Sequence, residues 1–298
     1  MKPLKQFSLK EWLKLEPIAQ AFKQLRNDLV LWRYLQLSAD NESAFLEQQK
    51  ALEGQKILLV IAFEQPLALH WLLAMCKRHV PDFTVLVCDN SLNPRARQSI
   101  QDVCVSHAAP YLSLPPNTTR HVNRSHGLAM TWVFHHVVRA IKPNIFGYID
   151  HDMLPIADIS LEQHLAEQDC YGLINPGHGC WNLWAGFCLY RYSRVVNIPM
   201  NYLYDFSRGL DTGGRNWAPL YASLDQSTLK FAPDQIAEVT NPYTHETRSV
   251  QMIDQSWLHI GGISYNNNFD EKEKFFIDYL QALGVESPLS LTSQARPD

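Results

Sequence analysis

The sequence predicts an α/β protein built on a doubly wound, largely parallel sheet with helices packed against it. Three observations carry this. Continuous apolar runs at 57–63, 83–88 and 145–149 have the length and composition of strands buried on both faces. Segments with apolar residues every three or four positions alternate with them, as crossover helices do between parallel strands. Each run is followed at once by an acidic residue, Glu64, Asp89 and Asp150, so three strand ends describe one polar rim. In open sheets of this class ligands bind beyond the carboxyl ends of the strands.

The chain opens with a helical extension, residues 1–54. Ser8-x-x-Glu11 is a capping box before Leu9, Trp12 and Leu13. Pro17 opens a second helix. Its Phe22, Leu25, Leu29, Trp32 and Leu35 recur at steps of three and four, which predicts one apolar face packed on a larger body. The main domain spans 55–270. Its first strand leads to a helix over 67–79 with Leu69, Leu72, Leu73 and Cys76 inward. Its second ends in Asp89-Asn90-Ser91 and leads to a helix over 99–107. A helix over 128–141 precedes the third strand. The polar turn 123–127 before it offers the free N–H groups and dipole of a helix start to an anion. Arg124 and His126 in that turn either meet a phosphate or cap the helix. Strands at 171–174 and 184–190 follow, joined by a loop at 175–179 whose Gly177 and Gly179 let backbone approach a ligand. Trp181, Trp184 and Trp217 pack in the core or stack on sugar faces.

Beyond residue 195 the strand and helix signals weaken. Two segments stand out, 209–215 with Asp211 and 257–262 with His259, each setting one ionisable residue beside paired glycines. A C-terminal unit, 271–298, consists of a helix and a frayed tail. The helix is started by Phe269 and a capping box Asp270-x-x-Glu273, buries Phe275, Phe276, Tyr279, Leu280 and Leu283, and stops at Gly284, with the tail from Val285.

Composition narrows the function. The 298 residues carry a formal charge of −4, so no basic excess is present to neutralise the phosphates of a nucleic acid. No window reaches the ~18 uninterrupted apolar residues of a membrane span, and the N-terminus lacks the apolar segment of a signal peptide. None of the six cysteines forms a C-x-x-C pair and most sit in apolar runs, which predicts buried free thiols in a reducing, cytoplasmic setting. The sequence leaves the oligomeric state open.

The chemistry centres on Asp150-His151-Asp152, where the third strand ends. Charge is seldom set against a core unless it is paired or binds metal. Oxygen donors of this kind suit Mg²⁺ or Mn²⁺ shared with substrate phosphates. The alternative is that the two aspartates begin a solvated loop. His259 likewise reads as a metal ligand or as a satisfied core histidine, and Asp211 as a general base or as an Asx-type turn residue.

Taken in order, the buried strands, Val-Cys-Asp-Asn-Ser at 87–91, Tyr-Ile-Asp-His-Asp-Met-Leu-Pro at 148–155 and the late His259 resemble a glycosyltransferase of the GT-A fold, of the family 2-like group, over roughly residues 55 to 265. The resemblance implies a Rossmann-like mixed, mainly parallel sheet and a nucleotide-diphosphate sugar donor. It implies transfer to a carbohydrate or other hydroxyl acceptor, with Mn²⁺ or Mg²⁺ on the diphosphate. It assigns the metal to Asp150, Asp152 and His259 and the nucleoside to Asp89. The nucleotide-contacting rim then comprises Phe63, Glu64, Asp89, Asn90, Arg124, His126 and Asp150. The Glu-Asp pair that supplies the base in that group is absent, and Leu210-Asp211-Thr212-Gly213-Gly214 is the nearest substitute, which makes Asp211 the candidate base of an inverting transfer. A sugar nucleotidyltransferase would share fold and metal but would carry a Gly-rich basic loop where Glu64-Gln65-Pro66 stands. A phosphatase of the haloacid dehalogenase type needs Gly and Thr where Met153 and Leu154 follow. A non-catalytic sugar- or nucleotide-binding protein would show no donor hydrolysis.

Overall fold

The computed structural model describes residues 7–119, 121–263 and 269–292. Two sheets organise them. The larger contains β1 (Lys56–Ala62), β2 (Thr84–Asp89), β3 (Tyr111–Ser113) and β4 (Ile145–Ile149). The chain then leaves it through β5 (Met153–Pro155) and returns as β6 (Cys170–Pro176) and β7 (Trp181–Arg191). The strand order is β3-β2-β1-β4-β7-β6. Neighbours from β3 to β4 pair in parallel, while β7 runs antiparallel to both β4 and β6, so β7 alone is reversed. This is the expected α/β class, with a mixed, mainly parallel sheet flanked by helices and a helical N-terminal extension.

The uninterrupted apolar character of β1 follows from cover on both faces. Leu58, Val60 and Ala62 meet one core with α4 (Pro66–His79), α5 (Pro94–His107) and the C-terminal helix Phe269–Ala282. Ile57, Leu59 and Ile61 meet the other with α6 (Val122–Val133), which continues through one wide turn to Ile141. Successive side chains alternate between the two faces, as strand geometry requires. All six cysteines are buried free thiols. Among the described residues no helix is long and apolar enough to cross a membrane.

Four features depart from the sequence reading. First, the region beyond residue 195 is not loop alone. It forms β8 (Asp234–Thr240), β9 (Thr247–Ile253) and β10 (Trp257–His259), which join β5 in an antiparallel sheet ordered β5-β10-β9-β8. β8 is largely solvent-exposed, so it lacks the apolar run that marks a buried strand. Second, α5 starts at Pro94, capped by the Asn93 side chain on the Arg95 N–H, and α6 starts at Val122 after His121. Arg124 and His126 therefore lie inside a helix, not in a turn before it. Third, α2 (Glu16–Tyr34) buries Pro17, Asn27, Leu31 and Tyr34 and leaves Phe22 and Trp32 69% and 62% exposed. Polar anchors set its orientation: Asn27 Nδ2 donates to Tyr204 Oη at 3.1 Å and Tyr34 Oη to the Pro115 carbonyl at 3.1 Å. Periodicity identifies an apolar face but not what covers it. Fourth, the segment after Gly284 is docked. His70 Nε2 meets the Glu286 carbonyl at 2.9 Å and Trp71 Nε1 donates to Ser287 Oγ at 2.8 Å. The start of the C-terminal capping box falls on the Asp270 side chain, outside the described residues.

Candidate active site

The three residues between β4 and β5 are Asp150, His151 and Asp152, so the D-x-D is the hinge where the chain passes from one sheet to the other. The Asp150 N–H donates to the Gly186 carbonyl at 3.0 Å, and the Met153 N–H closes a tight turn onto the Asp150 carbonyl at 3.0 Å. β10 then pairs antiparallel with β5, His259 opposite Met153, and the Ile260 N–H donates to the Asp152 carbonyl at 3.1 Å. Backbone pairing alone thus returns a residue 107 positions later to the D-x-D. His259 Nε2 lies 3.6 Å from Asp152 Oδ1. One ligand atom each of Asp150, Asp152 and His259 lies within 4.8 Å of the others. A small divalent cation holds its oxygens at ~2.0–2.1 Å, so opposed ligands stand ~4.2 Å apart and adjacent ones ~2.9 Å, and the three groups would draw together around an ion.

The hydrogen bond at the other ring nitrogen orients His259. Gln251 faces it across the β9–β10 register, and Gln251 Oε1 lies 2.6 Å from His259 Nδ1. With Nδ1–H donating there, loss of the Nε2 proton leaves a lone pair directed at the carboxylates, the arrangement metal-ligating histidines use. Gln251 is itself held, its Nε2 donating to Asp234 Oδ1 at 3.0 Å. Burial works against charge on Asp152, yet the pull of the neighbouring His259 ring, with a smaller one from His151, outweighs it and holds the carboxyl at about 2. Burial pulls His259 down, and Asp152 and Asp150 together carry it above its ordinary value. His126 comes from α6 with Nε2 3.8 Å from Asp150 Oδ1. Burial keeps it neutral, lowering its pKa against the pull of Asp150 and, more weakly, of Asp211.

These groups line a cavity of about 210 Å³ with Phe63, Asn90, Trp184 and Ile263. Asn90 Nδ2 donates to Ser125 Oγ at 3.0 Å, while its buried Oδ1 has no hydrogen-bond partner among the described residues. An orphaned buried acceptor is costly unless a ligand donor meets it. Gly186 on β7 makes room for the whole arrangement. A Cβ there would lie 2.3 Å from the Trp184 ring and 2.6 Å from Asp150 Oδ2.

Three rim residues from the sequence reading stand elsewhere. Asp89 is fully buried, with Oδ1 accepting the Ser91 N–H at 2.8 Å and Oδ2 the Tyr111 hydroxyl at 2.9 Å, and it does not reach the cavity. Glu64 accepts the N–H groups of Leu92 and Asn93 at 2.8 and 2.9 Å, bracing the turn into α5. Arg124 turns towards α2, its Nη1 donating to Asn27 Oδ1 at 3.3 Å. Both carboxylates are occupied by protein donors, and Asn90, beside Asp89, takes the rim position.

Asp211 is exposed and sits beside the first turn of α6. Its Oδ1 accepts from Asn123 Nδ2 and from the Thr212 N–H. Positive φ at Gly213 and the contact of Gly127 with the Tyr202 carbonyl, where a Cβ would lie at 2.6 Å, bring this loop onto the helix. Further along the same helix end, His121 lines a second, larger cleft of about 940 Å³ between α2 and the 204–207 loop. Glu16, Gln20, Lys23 and Asn27 form one wall, His121, His178, Tyr204 and Asp205 the other. Trp181 and Trp217 pack against each other, with ring centroids 6.2 Å apart, and only Trp184 of the three tryptophans reaches the cavity.

Gln251 and Gly186 carry no site signal in the sequence. The role of Gln251 follows from strand register, and an isolated glycine in a strand marks close approach without saying of what.

No model of a known protein family matches this chain, and no curated protein does. Solved structures with a similar chain path include the galactosyltransferase LgtC in complex with donor and acceptor sugar analogs. That match has 13% identity and a TM-score of 0.36, and covers 48% of this chain and 59% of the other. An active-site mutant of LgtC matches with 14% identity and a TM-score of 0.35, over the same shares. The mannosyltransferase PcManGT from Pyrobaculum calidifontis, in complex with GDP-Man and Mn²⁺, matches with 13% identity and a TM-score of 0.36, over 61% of this chain and 57% of its own. The chain thus spans less than two thirds of each of these proteins. Likeness of this order assigns no activity, and the functional reading rests on the site itself.

Proposed function

We propose that this chain is a metal-dependent glycosyltransferase of the GT-A type, moving a sugar from a nucleotide-diphosphate donor to a hydroxyl acceptor with inversion. The observation that carries this reading is the convergence of Asp150, Asp152 and His259 at the carboxyl end of β4, with Gln251 fixing the His259 ring.

Two carboxylates facing a diphosphate would repel it by roughly 4 kcal/mol per unit-charge pair at 4 Å and an effective dielectric near 20. A divalent cation bound there reverses that sign and serves as a Lewis acid for the departing diphosphate oxygen. Asp150, Asp152 and His259 would hold it, and the nitrogen donor favours Mn²⁺ over Mg²⁺. His126, neutral and beside Asp150, meets the phosphates. Asn90 Oδ1 and Phe63 meet the nucleoside. The 210 Å³ cavity is below the ~300–1,000 Å³ of whole-ligand pockets, so it takes the diphosphate and the edge of the nucleoside that meets Asn90 and Phe63, and leaves the rest of the donor at its mouth. Asp211 takes the acceptor proton. Along α6 the order is His126, then Asn123 with Asp211, then His121 at the large cleft. Five residues of helix cover ~7.5 Å, the scale on which donor, base and acceptor follow one another. We assign that cleft, lined by amides, charges and Tyr204, to the acceptor.

A thermal-shift screen of nucleoside diphosphates with and without Mn²⁺ tests the reading. At 100 times Kd a specific nucleotide stabilises the fold by ~2.7 kcal/mol. One base should raise the midpoint only with metal present. A screen in which no nucleoside diphosphate does so removes the proposal.

A further inference from the structure

The most anomalous surface lies on the side of α2 that faces away from the cleft. Among the described residues, Ile18, Phe22, Leu25, Leu29 and Trp32 of α2 are 46–69% exposed, and Leu9 and Leu13 of α1 (Leu9–Leu13) are 77% and 78% exposed. At 100° per residue the five α2 side chains fall within ~80° of arc, and the cleft-lining Glu16, Gln20, Lys23 and Asn27 lie ~170° away. One face of α2 therefore borders the cleft and the opposite face is an uncovered apolar stripe. Trp12 of α1 closes against it, making an apolar groove of about 310 Å³ with Ile18, Phe22 and Leu25. A contiguous patch of this kind marks an interaction surface.

Charge selects the occupant. Residues 8–35 carry five basic side chains against three acidic ones, in a chain whose formal charge is −4; with the cleft-lining Glu11, Glu16, Lys23 and Arg26 set aside, Lys10, Lys14 and Arg33 remain against Asp28. Arg33 borders the stripe, while Arg26 reaches from its edge to the cleft, where it donates to Asn27. Asp28, on its other edge, is already paired with Arg215. A second copy seated here would oppose two positive surfaces. The 4-3-4-3 spacing from Ile18 to Trp32 fits a coiled-coil seam but covers only two heptads, short of the three to four that define one. An apolar helix face with Trp, Phe and Leu and a basic border is instead the pattern of a helix lying in a membrane interface, with Trp12 and Trp32 at headgroup depth. We propose that the α1–α2 hairpin docks this protein on an anionic bilayer surface, with the opposite face of α2 left to border the cleft.

Flotation of the full chain with extruded vesicles tests this. The protein should float with equimolar phosphatidylcholine and phosphatidylglycerol and much less with phosphatidylcholine alone. Lys10→Gln, Lys14→Gln or Arg33→Gln should each weaken partition roughly fivefold. Phe22→Glu with Leu29→Glu should weaken it roughly thirtyfold or more without moving the thermal midpoint, since both residues are exposed. Protein left in the load fraction with the anionic vesicles overturns the proposal, as does equal flotation of the double variant. A micromolar dimer in sedimentation velocity that the double variant abolishes would give the face to a second copy instead.

Discussion

The ends of β2 and β4 carry the same residue on the same rim and use it in opposite ways. Asp89 and Asp152 are both buried aspartates just past the core of a parallel strand. Asp89 is closed: both oxygens accept from neutral donors, Ser91 N–H and Tyr111 hydroxyl, and burial raises its pKa. Asp152 is open: it borders a cavity, its nearest cation is a histidine 3.6 Å away, and its carboxyl is held low despite burial. A buried carboxylate is thus not by itself a site. What separates the two is that both Asp89 oxygens are taken by neutral donors in the core, while Asp152 borders a cavity beside an ionisable imidazole.

Breaking the open end should give the largest effect. Asp152→Asn should abolish metal-dependent nucleotide binding while leaving the circular dichroism spectrum of the fold unchanged. Calorimetric titration of Mn²⁺ and the matching nucleotide checks it, and wild-type affinity would end the metal assignment. Next, Asp211→Asn should cut turnover by ~10²–10⁴-fold with donor affinity nearly unchanged, because that contact is made in the transition state. If donor affinity falls in step with turnover, Asp211 holds the donor and is no base.

The contrast also explains what the sequence could reveal. β1, β2 and β4 were legible because strands buried on both faces must be apolar throughout, and the D-x-D was legible because carboxylates interrupt that run. The reach of His259 to Asp152 agrees with the sequence expectation, although what delivers it is a strand paired to β5, which the paired glycines do not signal. The rim assignments of Glu64 and Asp89 could not be judged from sequence, since an acidic residue after a strand reads alike whether it faces a ligand or braces a turn. Gln251 was invisible because its role exists only in the register of β9 with β10. The outward face of α2 is not legible in its periodicity, because Asn27, Leu31 and Tyr34 together decide which side meets the body.

Three further tests sharpen the comparison. Gln251→Ala should weaken metal affinity by ~10–100-fold, the usual consequence of losing the partner that orients a ligating imidazole. Affinity should also rise about tenfold per pH unit until His259 loses its proton, since metal and proton compete for Nε2. A pH-independent affinity would place the metal elsewhere. By contrast Asp89→Asn should leave metal affinity intact and cost about 1–3 kcal/mol of stability, as one of its two buried donors goes unpaired. Urea unfolding monitored with and without Mn²⁺ separates the two effects.

The smallest effect is the most discriminating, because the two aspartates should titrate stability with opposite sign. Asp152 in the fold lies at about 2, against ~3.9 in an unfolded chain. Its contribution is therefore present above about pH 4 and lost as pH falls towards 2, so stability rises with pH across that window. The folded pKa of Asp89 is raised by burial, so its contribution is present below the unfolded value and lost as pH climbs through the folded one. His259, also raised, adds a term present below ~6.5 that is lost as pH passes its folded value. In metal-free protein, Asp152→Asn should flatten both the acid-side rise and the later decline, by on the order of 1–2 kcal/mol, because one pair causes both. Asp89→Asn should remove only the decline just above pH 4. Denaturant midpoints from pH 2.5 to 8 in a chelating buffer measure all three slopes. Were Asp152→Asn to keep the full acid-side rise, the Asp152–His259 pair would not be formed in solution, and the open end of β4 would be as closed as that of β2.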